Sequence, residues 1–241
     1  LAYGSDVISV QGDYKEAFKL SRDAINHYGW YNRNAAINPH MVEGKKTVVY
    51  EIIEQLNFNP PDWIVVSVGD GCTIGGVYKG LHDFHALGLI EHIPRILGVQ
   101  SEGCAPFYKA WTTGKPLKET DENTLADSIA VGIPRNPVKA MRAVDYSNGA
   151  WITVTDDAII KAIKTLGSAE GLFCDPAAAA AYAGLEAALD QSIIDKDSHV
   201  SVILTGNGLK DPDTIGKAIK EPVNLDNDLD ALIKHIESTH D

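Results

Sequence analysis

Four glycines fall within residues 69–76, directly behind the nearly unbroken apolar run Trp63-Ile-Val-Val-Ser-Val68. Few folds accept that order. A run without polar alternation reads as a strand covered on both faces, the habit of parallel sheets. Its sequel, Val68-Gly-Asp-Gly-Cys-Thr-Ile-Gly-Gly76, opens a helix marked by Val77, Leu81 and Phe84, with Gly88 as its C-cap. In a strand–glycine turn–helix unit, backbone N–H groups at the helix start converge on an anion. A phosphate group is the natural occupant, and the alternative is a tight turn that holds no ligand.

The rest of the chain alternates in the same way. Strand patterns occupy Asp6–Val10, Ile96–Gln100, Ser128–Val131, Trp151–Val154 and His199–Leu204. Helical spacing links Tyr14, Phe18, Ile25 and Tyr28 ahead of Gly29, and Val49, Ile52, Ile53 and Leu56 within Thr47–Leu56. Short helices are expected at Phe107–Trp111 and Pro137–Val144, and residues 113–126 read as a polar surface excursion. Thr155 caps a helix carrying Ile159, Ile160, Ile163 and Leu166, with Asp156 and Asp157 in the turn where the dipole favours acids. Asp175-Pro176 opens an alanine-rich helix, and the acidic tail is helical near its end. This alternation predicts an α/β fold, a mostly parallel sheet with helices on both faces.

A second glycine loop, Thr205-Gly-Asn-Gly-Leu-Lys-Asp211, follows the last strand. Ligands of open α/β sheets gather at the carboxyl ends of strands, so Gly69–Thr73 and Thr205 are expected to face one crevice. The plain alternative for Thr205 is a hydroxyl that satisfies its own turn. A nicotinamide-dependent oxidoreductase is the competing chemistry. Glu102 stands near where a ribose-binding acid belongs, although the glycine pattern is Gly-x-Gly-x-x-x-Gly and the spacing is long.

A net charge of −12 argues against a nucleic-acid partner, because a phosphate-binding surface needs clustered Lys and Arg. No run approaches the about 20 apolar residues of a membrane helix, and no export signal opens the chain, so a cytoplasmic location is expected. Cys72, Cys104 and Cys174 have no metal-site spacing and read as reduced thiols rather than structural zinc ligands. Cys72, at a helix start, is expected to have its thiolate favoured by the dipole and to be the most reactive.

Five segments, in order, resemble the threonine synthases. Asn38-Pro-His-Met-Val-Glu-Gly-Lys-Lys-Thr-Val-Val-Tyr-Glu-Ile52 is similar to the family's Asn-Pro and Glu-Gly stretch before a Lys-Thr helix. Asp62–Gly71 resembles its strand and phosphate loop, and Val99-Gln-Ser-Glu-Gly-Cys-Ala-Pro106 the strand and turn that follow. Leu172-Phe-Cys-Asp-Pro-Ala-Ala-Ala-Ala-Ala181 is similar to its Glu-Pro-Ala-Ser-Ala-Ala helix start, and Leu204-Thr-Gly-Asn-Gly-Leu-Lys-Asp-Pro212 to its closing Thr-Gly-His-Gly-Leu-Lys-Asp-Pro.

The resemblance implies a fold type II enzyme, of the tryptophan synthase β-like class, that uses pyridoxal 5′-phosphate. Residues 1–35 would end a small α/β domain and 36–241 form the large one. Gly69, Asp70, Gly71, Cys72 and Thr73 would hold the cofactor's phosphate, and Thr205 would meet its pyridine nitrogen without forcing protonation. The implied reaction turns O-phosphohomoserine and water into threonine and phosphate, in a homodimer acting on a small amino-acid substrate. A threonine/serine dehydratase, a cysteate synthase and a non-catalytic fragment are the alternatives. The chain departs from the pattern at Asp70, Asn207 and Ile133-Pro-Arg-Asn136, where Arg135 reads as a solvated loop arginine, with an anion contact as the alternative. The resemblance also puts the Schiff-base lysine upstream of Leu1, so this chain alone is expected to be inactive and to contribute no catalytic residue. Lys45, Lys46 and Lys79 are expected to face solvent.

Overall fold

In the computed structural model, residues 3–35, 37–219 and 222–239 are described. Helix α1 (Tyr14–Tyr28) starts in a capping box between Asp13 and Glu16 and stops at Gly29, whose φ of +67° is left-handed. Then come α2 (Pro39–Glu43), a 3-10 turn at Gly44–Lys46 and α3 (Thr47–Gln55). Strand β1 (Trp63–Ser67) leads into α4 (Cys72–Ala86), and β2 (Arg95–Ser101) into α5 (Pro106–Thr113). After a 3-10 turn at Asp127–Ile129 follow α6 (Pro137–Tyr146), β3 (Ala150–Val154), α7 (Asp156–Glu170) and α8 (Pro176–Asp190). Strand β4 (Val200–Ile203), a 3-10 turn at Gly208–Lys210, α9 (Pro212–Ala218) and α10 (Leu229–Thr239) complete the chain.

The four strands are parallel, in the order β3-β2-β1-β4. Alternate residues of each strand point to opposite faces, so the apolar runs feed two cores. Trp63, Val65, Leu97, Val99 and Ile152 pack under α7 and α8. Ile64, Val66, Ile96 and Trp151 pack under α3, α4, α5 and α6. The helix-covered parallel sheet expected from the alternation is present.

Three glycines permit close approaches that a side chain would block. At Gly98 in β2 an added Cβ would lie 2.6 Å from the Trp151 indole, which is itself stacked on Phe107 with centroids 4.9 Å apart. At Gly76 and Gly80, one turn apart on α4, it would lie 2.7 Å from Lys45 Cβ and 2.5 Å from Val49 Cγ2. That glycine strip lets the 3-10 turn and α3 close onto α4. Lys46 is thereby drawn into ion pairs with Glu43 (2.9 Å) and Asp83 (2.7 Å), its side chain only 17% exposed. The expectation that it faces solvent is corrected.

Two expected strands do not form. Residues 6–10 have no strand partner among the described residues, and Val7 and Ile8 are exposed. A strand pattern without a neighbouring edge has nowhere to send its backbone hydrogen bonds. At 128–131 the chain tightens into the 3-10 turn instead, with Ile129 N–H donating to Ala126 and Ala130 N–H to Asp127. Its apolar residues, Ile129 and Val131, are buried without sheet pairing.

Candidate functional site

The sheet order sets the site. From β1 the chain moves outward to β2 and β3, then crosses to the other side of β1 to form β4. The carboxyl ends of β1 and β4 therefore flank the point where strand order reverses, which is where open α/β sheets bind ligands. A cavity of about 220 Å³ opens there. Gly69, Asp70, Gly71, Cys72 and Thr73 line it from the β1 side, Thr205 from the β4 side. The structure thus brings all six sequence-predicted residues to one crevice.

The glycine loop is built to bring backbone close. Gly71 has φ +85°, and an added Cβ would meet Ala140 Cβ at 2.8 Å and Asn136 O at 3.0 Å. Gly71 is the N-cap of α4 and offers no side-chain cap. The N–H groups of Cys72, Thr73 and Ile74 meet no acceptor among the described residues. Orphan donors at a helix start favour an anion. Residues 135–136 clamp the loop from outside: Asn136 N–H donates to Asp70 O at 3.0 Å, and its side-chain amide lies 2.9 Å from Cys72 Sγ.

Asp70 resolves a tension in the sequence. A carboxylate facing a phosphate would repel it, but Asp70 Oδ1 accepts from the backbone N–H (3.1 Å) and Nη1 (3.2 Å) of Arg135. Tyr14 Oη donates to Oδ2 at 3.3 Å. Arg135 is not the solvated arginine expected: its side chain is 14% exposed, with its guanidinium 4.6 Å from the Tyr14 ring centroid and 4.0 Å from that of Phe18. Tyr14 and Phe18 lie a helical turn apart on α1, so one arginine ties α1 to the loop. Burial, and then the Asp70 charge, push the Tyr14 phenol up.

Cys72 also departs from expectation. Burial and the Asp70 charge push its thiol up, outweighing the helix dipole that argued for a thiolate. Cys104 and Cys174 are likewise buried, with thiols raised by burial. A short iodoacetamide pulse on the native protein should modify all three roughly tenfold or more slowly than in denaturant. The Cys72 rate should still climb at pH values where an ordinary exposed thiol has levelled off. Peptide mapping would check this, and fast modification of Cys72 near neutral pH would contradict it.

On the far wall, Asp175 organises the Thr205 loop. Its Oδ1 caps α8 through Ala178 N–H (2.7 Å), its Oδ2 accepts from Lys210 Nζ (3.0 Å), and its own N–H donates to Gly206 O (3.0 Å). Asn207 Oδ1 accepts from Leu209 N–H, capping the 3-10 turn. The Thr205 hydroxyl makes no hydrogen bond among the described residues, so its own turn does not consume it. Glu102 is exposed, away from the cavity, its backbone N–H donating to Val154 O, so it does not supply a ribose-binding acid. Uncapped N–H donors on one side and an unengaged hydroxyl on the other fit a phosphate-bearing heteroaromatic cofactor.

The wall also contains residues that periodicity did not single out: Ala35, Lys45, Ser67, Ser128, Ile129 and Ala177. Ser67 ends β1, one residue short of the strand Trp63–Val68 expected from the sequence. The others come from segments that only the tertiary fold brings near. Lys45 corrects the expectation that it faces solvent.

No helix among the described residues is long and apolar enough to cross a membrane. The threonine synthase of Methanosarcina acetivorans is 39% identical over 234 residues, covering 96% of this chain and 58% of that protein. The threonine synthase of Methanocaldococcus jannaschii is 37% identical, covering 95% and 57%. The chain thus spans less than two thirds of the length of these relatives. Among solved structures, the processed form of threonine deaminase isoform 2 from Solanum lycopersicum has a TM-score of 0.74 at 22% identity, covering 90% of this chain and 60% of that one. Maize serine racemase has a TM-score of 0.70 at 22% identity, covering 100% and 66%. At such identity the likeness is one of fold. The family described as pyridoxal-phosphate dependent enzyme matches residues 1–206. The chain therefore belongs to the pyridoxal-phosphate-dependent enzymes, with pyridoxal 5′-phosphate as its cofactor.

Proposed function

We propose that this chain is the larger, carboxyl-terminal part of a threonine synthase, a lyase that converts O-phosphohomoserine and water into threonine and phosphate. The observation that carries the reading is the single cavity lined by Gly69–Thr73 from β1 and Thr205 from β4. The relatives named threonine synthase support the choice of reaction. In this reading the N–H groups of the 69–73 loop and the α4 start bind the cofactor's phosphate, leaving the Asp70 carboxylate on Arg135. The Thr205 hydroxyl donates to the pyridine nitrogen, orienting the ring while leaving that nitrogen less than fully protonated. When bound, the cofactor supplies an electron sink for elimination at the γ-carbon and replacement at the β-carbon.

Residues 1–35 would be the end of a small domain and 36–241 the body of the large one. The lysine that carries the cofactor, and the rest of the ring pocket, would belong to sequence ahead of Leu1. The enzyme would work as a cytoplasmic homodimer. The test is phosphate release from O-phosphohomoserine, measured for the 241-residue chain and for a polypeptide extended upstream with the matching segment of a relative. The short chain should stay at background, and the extended one should turn over at roughly 1 s⁻¹ or more. Turnover by the short chain would refute the division of labour; extended enzyme that instead deaminates threonine or serine would refute the choice of reaction.

A further inference from the structure

We propose that Lys45 is a binding residue for the cofactor's phosphate, its ammonium supplying the positive charge that the glycine loop lacks. The inference rests on the proposed occupancy of the cavity and adds a residue that neither the motif nor the relatives' names assign. The glycine loop offers only N–H dipoles, and Arg135, the nearest guanidinium, is spent on the Asp70 carboxylate. Phosphate monoesters carry close to two negative charges at neutral pH, so a partly enclosed site for one calls for a cation. Lys45 is the one cation lining the cavity among the described residues.

Its neighbours are committed elsewhere. Lys46 is held by Glu43 and Asp83, and Lys79 pairs with Glu43. Lys45 has no ion pair among the described residues. It lines the same cavity as Cys72, Thr73 and Ile74 at the α4 start, and its charge favours the Cys72 thiolate that burial opposes. Its position is enforced from below. Its Cβ rests where a Gly76 side chain would be, which fixes the 3-10 turn against α4, on the cavity that the uncapped N–H groups line.

Pyridoxine 5′-phosphate and pyridoxine are suitable probes, because neither has an aldehyde and surface lysines cannot trap them as imines. Equilibrium dialysis against the full 241-residue chain, Lys45→Gln and Lys45→Arg gives the dissociation constants. Wild type should prefer the phosphorylated probe. Lys45→Gln should weaken that probe about tenfold, leave pyridoxine unchanged and flatten the salt dependence, while Lys45→Arg stays within about threefold of wild type. Matched circular dichroism and melting would verify that both variants fold, as expected for a partly buried side chain in a 3-10 turn. A wild type without preference for the phosphorylated probe would overturn the cradle reading and this inference with it. If wild type has the preference and Lys45→Gln keeps it in full, only the role of Lys45 falls. Competition separates the sources of phosphate. O-Phosphohomoserine or inorganic phosphate displacing the probe as strongly as pyridoxal 5′-phosphate does, in wild type but not in Lys45→Gln, would move the lysine to substrate or free phosphate and overturn the assignment to the cofactor.

Discussion

Trp151→Ala should lower the melting temperature by roughly 6–20 °C, a loss of about 3–5 kcal/mol. The indole is 1% exposed and stacks on Phe107 at an interplanar angle of 8°, filling the core between the sheet and the helices of the glycine-loop face. Removing it leaves a cavity that stiff neighbours such as Ile64 and Ile96 cannot fill. Gly98 supplies the internal check. A Cβ there would stand 2.6 Å from the indole, so Gly98→Val alone should cost about 1–3 kcal/mol through overpacking. In the Trp151→Ala background the valine would enter vacated space. The two changes should then couple favourably by about 0.5–3 kcal/mol in a double-mutant cycle. Strict additivity in urea unfolding would refute the described contact.

Gly71→Ala should damage both stability and phosphate binding. Its φ of +85° costs an L-residue about 1–2 kcal/mol, and the new Cβ would press on Ala140 Cβ at 2.8 Å and Asn136 O at 3.0 Å. Together these predict a loss of about 2–5 kcal/mol. Relief by backbone movement would turn the Cys72–Ile74 N–H groups away from their common target. Affinity for pyridoxine 5′-phosphate should therefore fall on the order of a hundredfold, the loss of two charge-assisted hydrogen bonds. Gly29→Ala is the control. Gly29 is also left-handed, at φ +67°, but nothing lies within 4 Å of an added Cβ. It should cost about 1 kcal/mol and leave binding intact. Melting curves and equilibrium dialysis on the two variants would test the contrast. Equal effects would mean that backbone strain, not the cradle, explains Gly71.

Much of this was legible beforehand because the governing interactions are local. Apolar runs named β1 to β4; Thr155 and Asp175 named the starts of α7 and α8, which they cap through Ala158 and Ala178 N–H. The two glycine loops named the cavity's opposing walls. What escaped depended on partners remote in sequence. Residues 6–10 have the β-branched composition of a strand but no edge to join among the described residues. Ile129 and Val131 are apolar because they are buried against the loop, not because they pair. Lys45 and Lys46 sit on a helix-like stretch whose polar face normally meets water. Only the glycines at 76 and 80 hint that another backbone closes in. Arg135 was misread because its partners, Asp70, Tyr14 and Phe18, lie more than sixty residues away in sequence. The thiolate argued for Cys72 is opposed by its surroundings: a helix dipole falls off within a turn, while enclosure acts on the thiol directly.

The reversal of strand order has a consequence in time. Residue 63 pairs with residue 95 on one side and residue 200 on the other. A chain emerging from the ribosome can assemble β1, β2 and the clamp at 135–136 long before β4 exists. During that interval the glycine loop faces an open wall, and Thr205 has yet to be synthesised. Closing so long a loop adds little free-energy penalty, since the entropy grows only with the logarithm of length, but it delays the pairing. The two walls of the crevice are thus made in sequence, and polypeptides that end before residue 200 present half a binding site.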